Sequence, residues 1–153
     1  MPLYNSFKKD TMTGGIQLSA DAAAGLLKVI LLSASYTPDI DNHVRYTSLS
    51  AHEISFAHPA YAVGYFAGGQ AVSASLAFST DTGNDRSAFD AADNTWASST
   101  ITARYLALVK VRTGGLNKEN DPLVGYIDFS SDKSSSNGNF TISWDSLGVM
   151  LFT

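Results

Sequence analysis

The segment ITARYLALVKVR, residues 101–112, alternates in a way that a helix cannot use. Ile101, Ala103, Tyr105, Ala107, Val109 and Val111 share one side of a period of two, while Arg104, Lys110 and Arg112 share the other. A helix would scatter these residues around its circumference, whereas a β-strand gathers each set on one face. A strand this long then needs neighbours, because buried backbone N–H and C=O groups must be paired.

Much of the remaining chain supplies them. LLKVILLSASY (26–36) reads as a buried strand, and HVRYTSL (43–49), HEISF (52–56) and YAVGYF (61–66) as short ones. In QAVSASLAFST (70–80), Val72, Ala74, Leu76 and Phe78 fall on one face. RSAFDA (86–91), ADNTWASS (92–99), LVGYIDF (123–129), NFTISW (139–144) and GVMLF (148–152) complete the set. Turn signals separate them: TPDIDN, Gly68-Gly69, DTGND and TGGLNKENDP. The serine-rich run SSDKSSSNG (130–138) predicts a further hairpin tip, with Asn137-Gly138 as its positive-φ pair. About ten strands with hairpin turns imply an all-β fold, an antiparallel β-sandwich or jelly roll. Ahead of it, residues 1–19 predict a short N-terminal arm or helix, with Leu3, Phe7 and Met12 facing inward and Gly14-Gly15 ending it. ADAAAG (20–25) is a helical turn or a loop. Residues 20–153 are then a single domain.

Composition narrows the function. Apolar residues make up 44% of the 153 and charged ones 16%, which suits one packed domain rather than a disordered chain. The net charge is −4 and no basic cluster exceeds Lys8-Lys9, so nucleic acid is not an expected partner. With no cysteine there is neither disulfide nor thiolate chemistry. The longest apolar run, Leu26 to Leu32, is interrupted by Lys28 and falls far short of a membrane span. The first residues do not read as a secretion signal.

Few residues suggest chemistry. No serine sits in a G-x-S-x-G elbow. His43, His52 and His58, with Asp39, Asp41 and Glu53, would be the ligands of a metal site, but their spacing matches no compact motif; polar loop and rim residues are the plainer reading. Asp81, Asp85, Asp90 and Asp93 lack EF-hand spacing and are accounted for by two hairpin turns. Trp96 and Trp144, with Tyr61, Tyr65, Tyr105 and Tyr126, would make a sugar platform, although large aromatics in strands are more often core. Asn139-Phe140-Thr141 matches the glycosylation triplet, without a secretion signal to give it meaning.

Three blocks in order carry a resemblance: LLKVILLSASYTPDID, FDAADNTWASSTITARYLALVK and PLVGYIDFSSDKSSSNGNFTISWDSLGVMLFT. They resemble a family of small virion structural proteins of tailed bacteriophages, whose members open on an NSF-containing segment, then a KVxLL strand and an SYTPD turn. The chain departs from the pattern at HEISFAHPAYAVGYFAGG (52–69), where a short NEVxGxGYTAGG stretch is expected. The resemblance implies a capsid decoration or cement protein on the head surface of the virion, made in the host cytoplasm, or else a tail, neck or baseplate component. Its partners would be the major capsid protein lattice and other virion proteins, with a homo-oligomer (dimer or trimer) as the binding unit, and neither enzymatic activity nor a metal or cofactor is implied. Two segments are candidates for partner contact. One is Leu3, Tyr4, Phe7, Lys8 and Lys9, which alternatively packs on its own domain. The other is Tyr61, Tyr65 and Phe66.

Overall fold

The computed structural model describes residues 1–54, 62–72, 74–112 and 119–152. Among these residues, two mainly antiparallel sheets, of five and three strands, share a core, and two short helices pack against them. The all-β reading therefore holds.

Strand β1 (Leu27–Leu32) is the centre. Leu27, Val29, Ile30, Leu31 and Leu32 are all fully buried, so both faces of the strand are covered. That explains why its sequence is a continuous apolar run instead of an alternation. Leu27, Val29 and Leu31 enter a core shared with the smaller sheet; Ile30 and Leu32 enter a second core under Tyr4, Tyr36, Tyr46 and Leu49. Burial of each such side chain contributes about 1.5–3 kcal/mol.

In the larger sheet, β2 (Ala62–Val63), β3 (Gln70–Ala71), β6 (Asn94–Lys110) and β7 (Leu123–Ile142) join β1. β6 pairs β1 from Leu27↔Lys110 to Leu32↔Tyr105 on one side and β7 on the other. Its alternation is used on both faces: Leu106 and Leu108 point into the shared core, Ala107 and Val109 into the second. The smaller sheet orders β4 (Ala77–Asp81), β5 (Arg86–Asp90) and β8 (Met150–Phe152) side by side.

Several expected elements merge or divide. ADNTWASS and ITARYLALVKVR form one strand, β6, which passes through an irregularity at Ser98 (φ 49°). LVGYIDF and NFTISW likewise belong to one strand, β7, and the serine run between them is not a hairpin tip. Lys133, Ser134 and Ser135 lie opposite Ala103, Thr102 and Ile101. The positive φ of Asn137 (49°) serves a bulge that follows the one at Ser98, on the other side of the Ser99↔Gly138 pair. Hydroxyls stitch this ribbon together: Thr95 to Thr141 at 3.0 Å, Ser99 to Ser135 at 2.9 Å and Thr102 to Ser134 at 2.9 Å. QAVSASLAFST divides instead, giving β3 to one sheet and β4 to the other, so Phe78 is half exposed while Val72 is buried. HVRYTSL holds a single 3₁₀ turn, Tyr46–Ser48, in place of a strand.

The N-terminal segment belongs to the same body. Leu3 bridges Gly125, the Tyr4 N–H donates to the Val124 carbonyl at 3.1 Å, and the Tyr126 N–H donates to the Pro2 carbonyl at 3.1 Å. Pro2 to Tyr4 thus extend the edge of β7, and α1 (Asn5–Met12) follows with Phe7 fully buried. Met12, expected inward, is 81% exposed: five positions after the buried Phe7, it falls about 140° around the helix from that side chain. Helix α2 (Leu18–Ala23) occupies the expected ADAAAG region.

Gly69 fixes the seat of β3 on β1. At φ 63°, a Cβ there would fall on the Val29 carbonyl. Gly69→Ala is expected to cost about 1–3 kcal/mol by forced overpacking. Gly14→Ala, in open space at φ 75°, is expected to cost about 1 kcal/mol. Denaturant midpoints at unchanged m-value would measure both.

Candidate functional site

A cleft of about 390 Å³ opens where the end of β1 meets the β6–β7 ribbon. Its walls come from three places. After β1, Ser33, Ala34 and Ser35 turn away from the sheet. The Ser33 N–H donates to the His52 carbonyl at 2.9 Å and the Ile54 N–H to the Leu31 carbonyl at 3.1 Å, which brings residues 52–54 alongside β1. The third wall is Thr102 and Arg104 of β6 with Asp132 of β7.

Alternation along the extended segment sends neighbouring side chains different ways. His52 turns to the cleft, where Nδ1 lies 2.9 Å from Ser35 Oγ, itself 2.8 Å from Ser33 Oγ. Glu53 turns inward and is buried. Its carboxylate accepts hydrogen bonds from the Tyr46 hydroxyl, the Tyr65 hydroxyl (2.7 Å) and the Gly68 N–H (2.7 Å). Burial, reinforced by the adjacent carboxylate, pushes the Tyr65 phenol well above its usual range and raises Tyr46 as well. Tyr4 is likewise raised by burial and by its 2.7 Å bond to Tyr36.

β7 bulges at the cleft. Ala103 lies opposite Lys133 and Tyr105 opposite Asp128, so two steps along β6 face five along β7. Three residues are therefore in excess. Arg104 clasps the base of this bulge through Nε–Oδ1 (2.7 Å) and Nη2–Oδ2 (3.3 Å) bonds to Asp128, which also accepts the Ser130 N–H at 2.7 Å. The Arg104 bond holds the Asp128 carboxyl below its usual range. The bulge carries Asp132 to the cleft rim.

The expected site residues are dispersed. Tyr4, Phe7 and Tyr65 are fully buried within this chain and present no surface to a partner; Leu3 is half-buried on β7. Burial corrects their reading as contact residues: Tyr4 and Phe7 anchor the segment to its own domain, and Tyr65 completes the Glu53 cluster. Lys8 and Lys9 are exposed, as is Phe66 at 73%. Tyr61 and His58 lie outside the described residues. His43 and His52 flank the Tyr36 ring at 5.5 and 5.6 Å, yet no group of three metal-ligating side chains occurs among the described residues. Asp39 and Asp41 are engaged in the turn before His43, where Asp39 accepts the Asp41 and Asn42 N–H groups. Asp81 organises the β4–β5 turn through Gly83, Asn84 and Arg86. Trp96 is buried, and Trp144 is partly buried against the shared core with its indole N–H donating to the Ala92 carbonyl at 3.2 Å, so the two do not stand together as an open platform.

The Ser35–His52 pair is the feature that spacing did not reveal. It lacks a group orienting the second imidazole nitrogen among the described hydrogen bonds, so it does not complete a triad. No family model, curated protein or solved structure matches the chain. Among the described residues no helix is long and apolar enough to cross a membrane.

Glu53→Ala strips a buried acceptor from three donors and is expected to cost about 3 kcal/mol or more. Thermal unfolding would measure the loss, which Glu53→Gln should partly restore. The raised phenols carry a pH consequence. Unfolded tyrosines ionise near pH 10 while Tyr4, Tyr46 and Tyr65 stay protonated in the fold, so the unfolded state sheds protons first and stability falls as pH rises above about 10. Absorbance at phenolate wavelengths should show these groups ionising together with unfolding, not before it.

Proposed function

We propose that this chain is a structural protein of a tailed-bacteriophage virion, specifically a decoration or cement protein of the head shell. The observation that carries this reading is where the resembling blocks fall. LLKVILLSASYTPDID is β1 with its turn, FDAADNTWASSTITARYLALVK ends β5 and supplies β6, and the last block supplies β7 and β8. The resemblance thus covers the strands that make both cores, which supports a shared fold and, with it, a shared role. The departing segment 52–69 contributes to the same body at its edges: Glu53 bridges Leu32 of β1, and β2 pairs β6 at Ile101 and Thr100.

The use of polar groups agrees with a scaffold. The serines of β7 are cross-strand ties, and Glu53 is an internal strut. We read the two sheets, packed through one core, as a β-sandwich. A cement protein of this kind binds the major capsid protein lattice as a dimer or trimer and gains strength through repetition of modest contacts. It needs neither catalysis nor a cofactor. The exposed Lys8 and Lys9 on α1, and Phe66 within the departing segment, are the contact residues retained from the sequence reading.

Purified protein added to shells lacking it is expected to co-sediment stoichiometrically and raise the temperature of shell disruption. Lys8→Glu with Lys9→Glu should weaken that binding without altering the fold. Binding to isolated tails and not to shells would replace the head assignment with a tail, neck or baseplate role.

A further inference from the structure

We propose that the cleft between the 33–35 turn, His52 and the β7 bulge is a glycan subsite that takes one or two neutral sugar residues. Its lining fits that chemistry better than any other. Ser33 Oγ, Ser35 Oγ and His52 Nδ1 form a chain at 2.8 and 2.9 Å, and in the serine pair either hydroxyl can donate. Thr102 Oγ1, on the cleft wall, is as reversible in its 2.9 Å bond to Ser134 Oγ behind it. Sugar hydroxyls both donate and accept, so they suit a wall whose polarity can adjust to them. Asp132 stands at the rim as a strong acceptor. Ala34, Ala51 and Ile54 supply an apolar strip for the C–H face of a ring.

Charge selects within that class. The Arg104 guanidinium is paired with Asp128 through two hydrogen bonds, which leaves Asp132 as the charge the rim presents. A phosphate, sialic acid or uronic acid would meet that carboxylate, whereas a neutral sugar hydrogen-bonds to it. A metal ion would find no set of three ligands among the described residues. The platform expected from Trp96 and Trp144 is absent from this site, so recognition runs through hydrogen bonds and not through stacking.

The test is saturation-transfer NMR on the intact chain with glucose, galactose, mannose, N-acetylglucosamine and their disaccharides, alongside glucuronic acid. At roughly 50 mM ligand, above the millimolar affinity of one small polar site, at least one neutral sugar should show transfer and glucuronic acid should not. Ser35→Ala and Asp132→Ala should each reduce affinity about tenfold at unchanged melting temperature, since both residues are exposed. Asp132→Asn should keep part of the neutral binding and admit glucuronic acid. The proposal is overturned if no neutral sugar shows transfer, if the Ser35 and Asp132 variants bind as well as the parent, or if glucuronic acid binds the parent more tightly than its neutral counterpart. No shell is involved, so the outcome is independent of the capsid experiment.

Discussion

The ladder between β1 and β6 is the constraint on which the rest of the molecule depends. Six residue pairs run from Leu27↔Lys110 to Leu32↔Tyr105, and the strand they hold is covered on both faces. A strand buried on both faces cannot sit at the edge of a two-layer fold; it requires cover above and below. The smaller sheet supplies one cover through Phe89 and Met150, and the N-terminal segment with the 36–49 region supplies the other through Tyr4, Tyr36, Tyr46 and Leu49. Gly125 shows how close the second cover comes, since a Cβ there would lie 2.7 Å from the Pro2 carbonyl oxygen.

Covering the second face has a polar side. Tyr4 and Tyr36 bury hydroxyls that find each other, and the chain continues to His43 Nδ1 at 2.9 Å. Tyr46 and Tyr65 bury theirs against Glu53. The aromatic bodies fill the volume while their polar tips are satisfied internally, which avoids the cost of an unpaired buried group. Glu53 is the group that makes this possible near β1, because an anionic carboxylate accepts several hydrogen bonds at once.

Strand identity was largely legible in the sequence, and strand continuity was not. Alternation located β6, and the apolar run located β1, since period and burial are properties of neighbouring residues. The turn chemistry of DTGND was legible for the same reason: Asp81 bonds within a few residues of itself. The serine run misled because its composition favours turns, while its structure is decided by partners such as Ser99 and Thr102 more than thirty positions away. Asn137-Gly138 carried a true signal of positive φ but not its use, which is a bulge and not a hairpin. The cleft could not be read at all. Ser35, His52 and Asp132 meet only because a bulge in one strand reaches a turn that follows another.

The attachment of residues 2–4 to the edge of β7 bears on how the chain is made. β1 leaves the ribosome early and waits for β6 and residue 110, while the N-terminal strand waits for Val124 and Tyr126. Closing such distant contacts is slow, and the unfinished chain exposes the apolar run of β1 throughout. Completion of the sheet is therefore a late event of synthesis, and residues 2–4, made before all of their partners, are among the last to find their place.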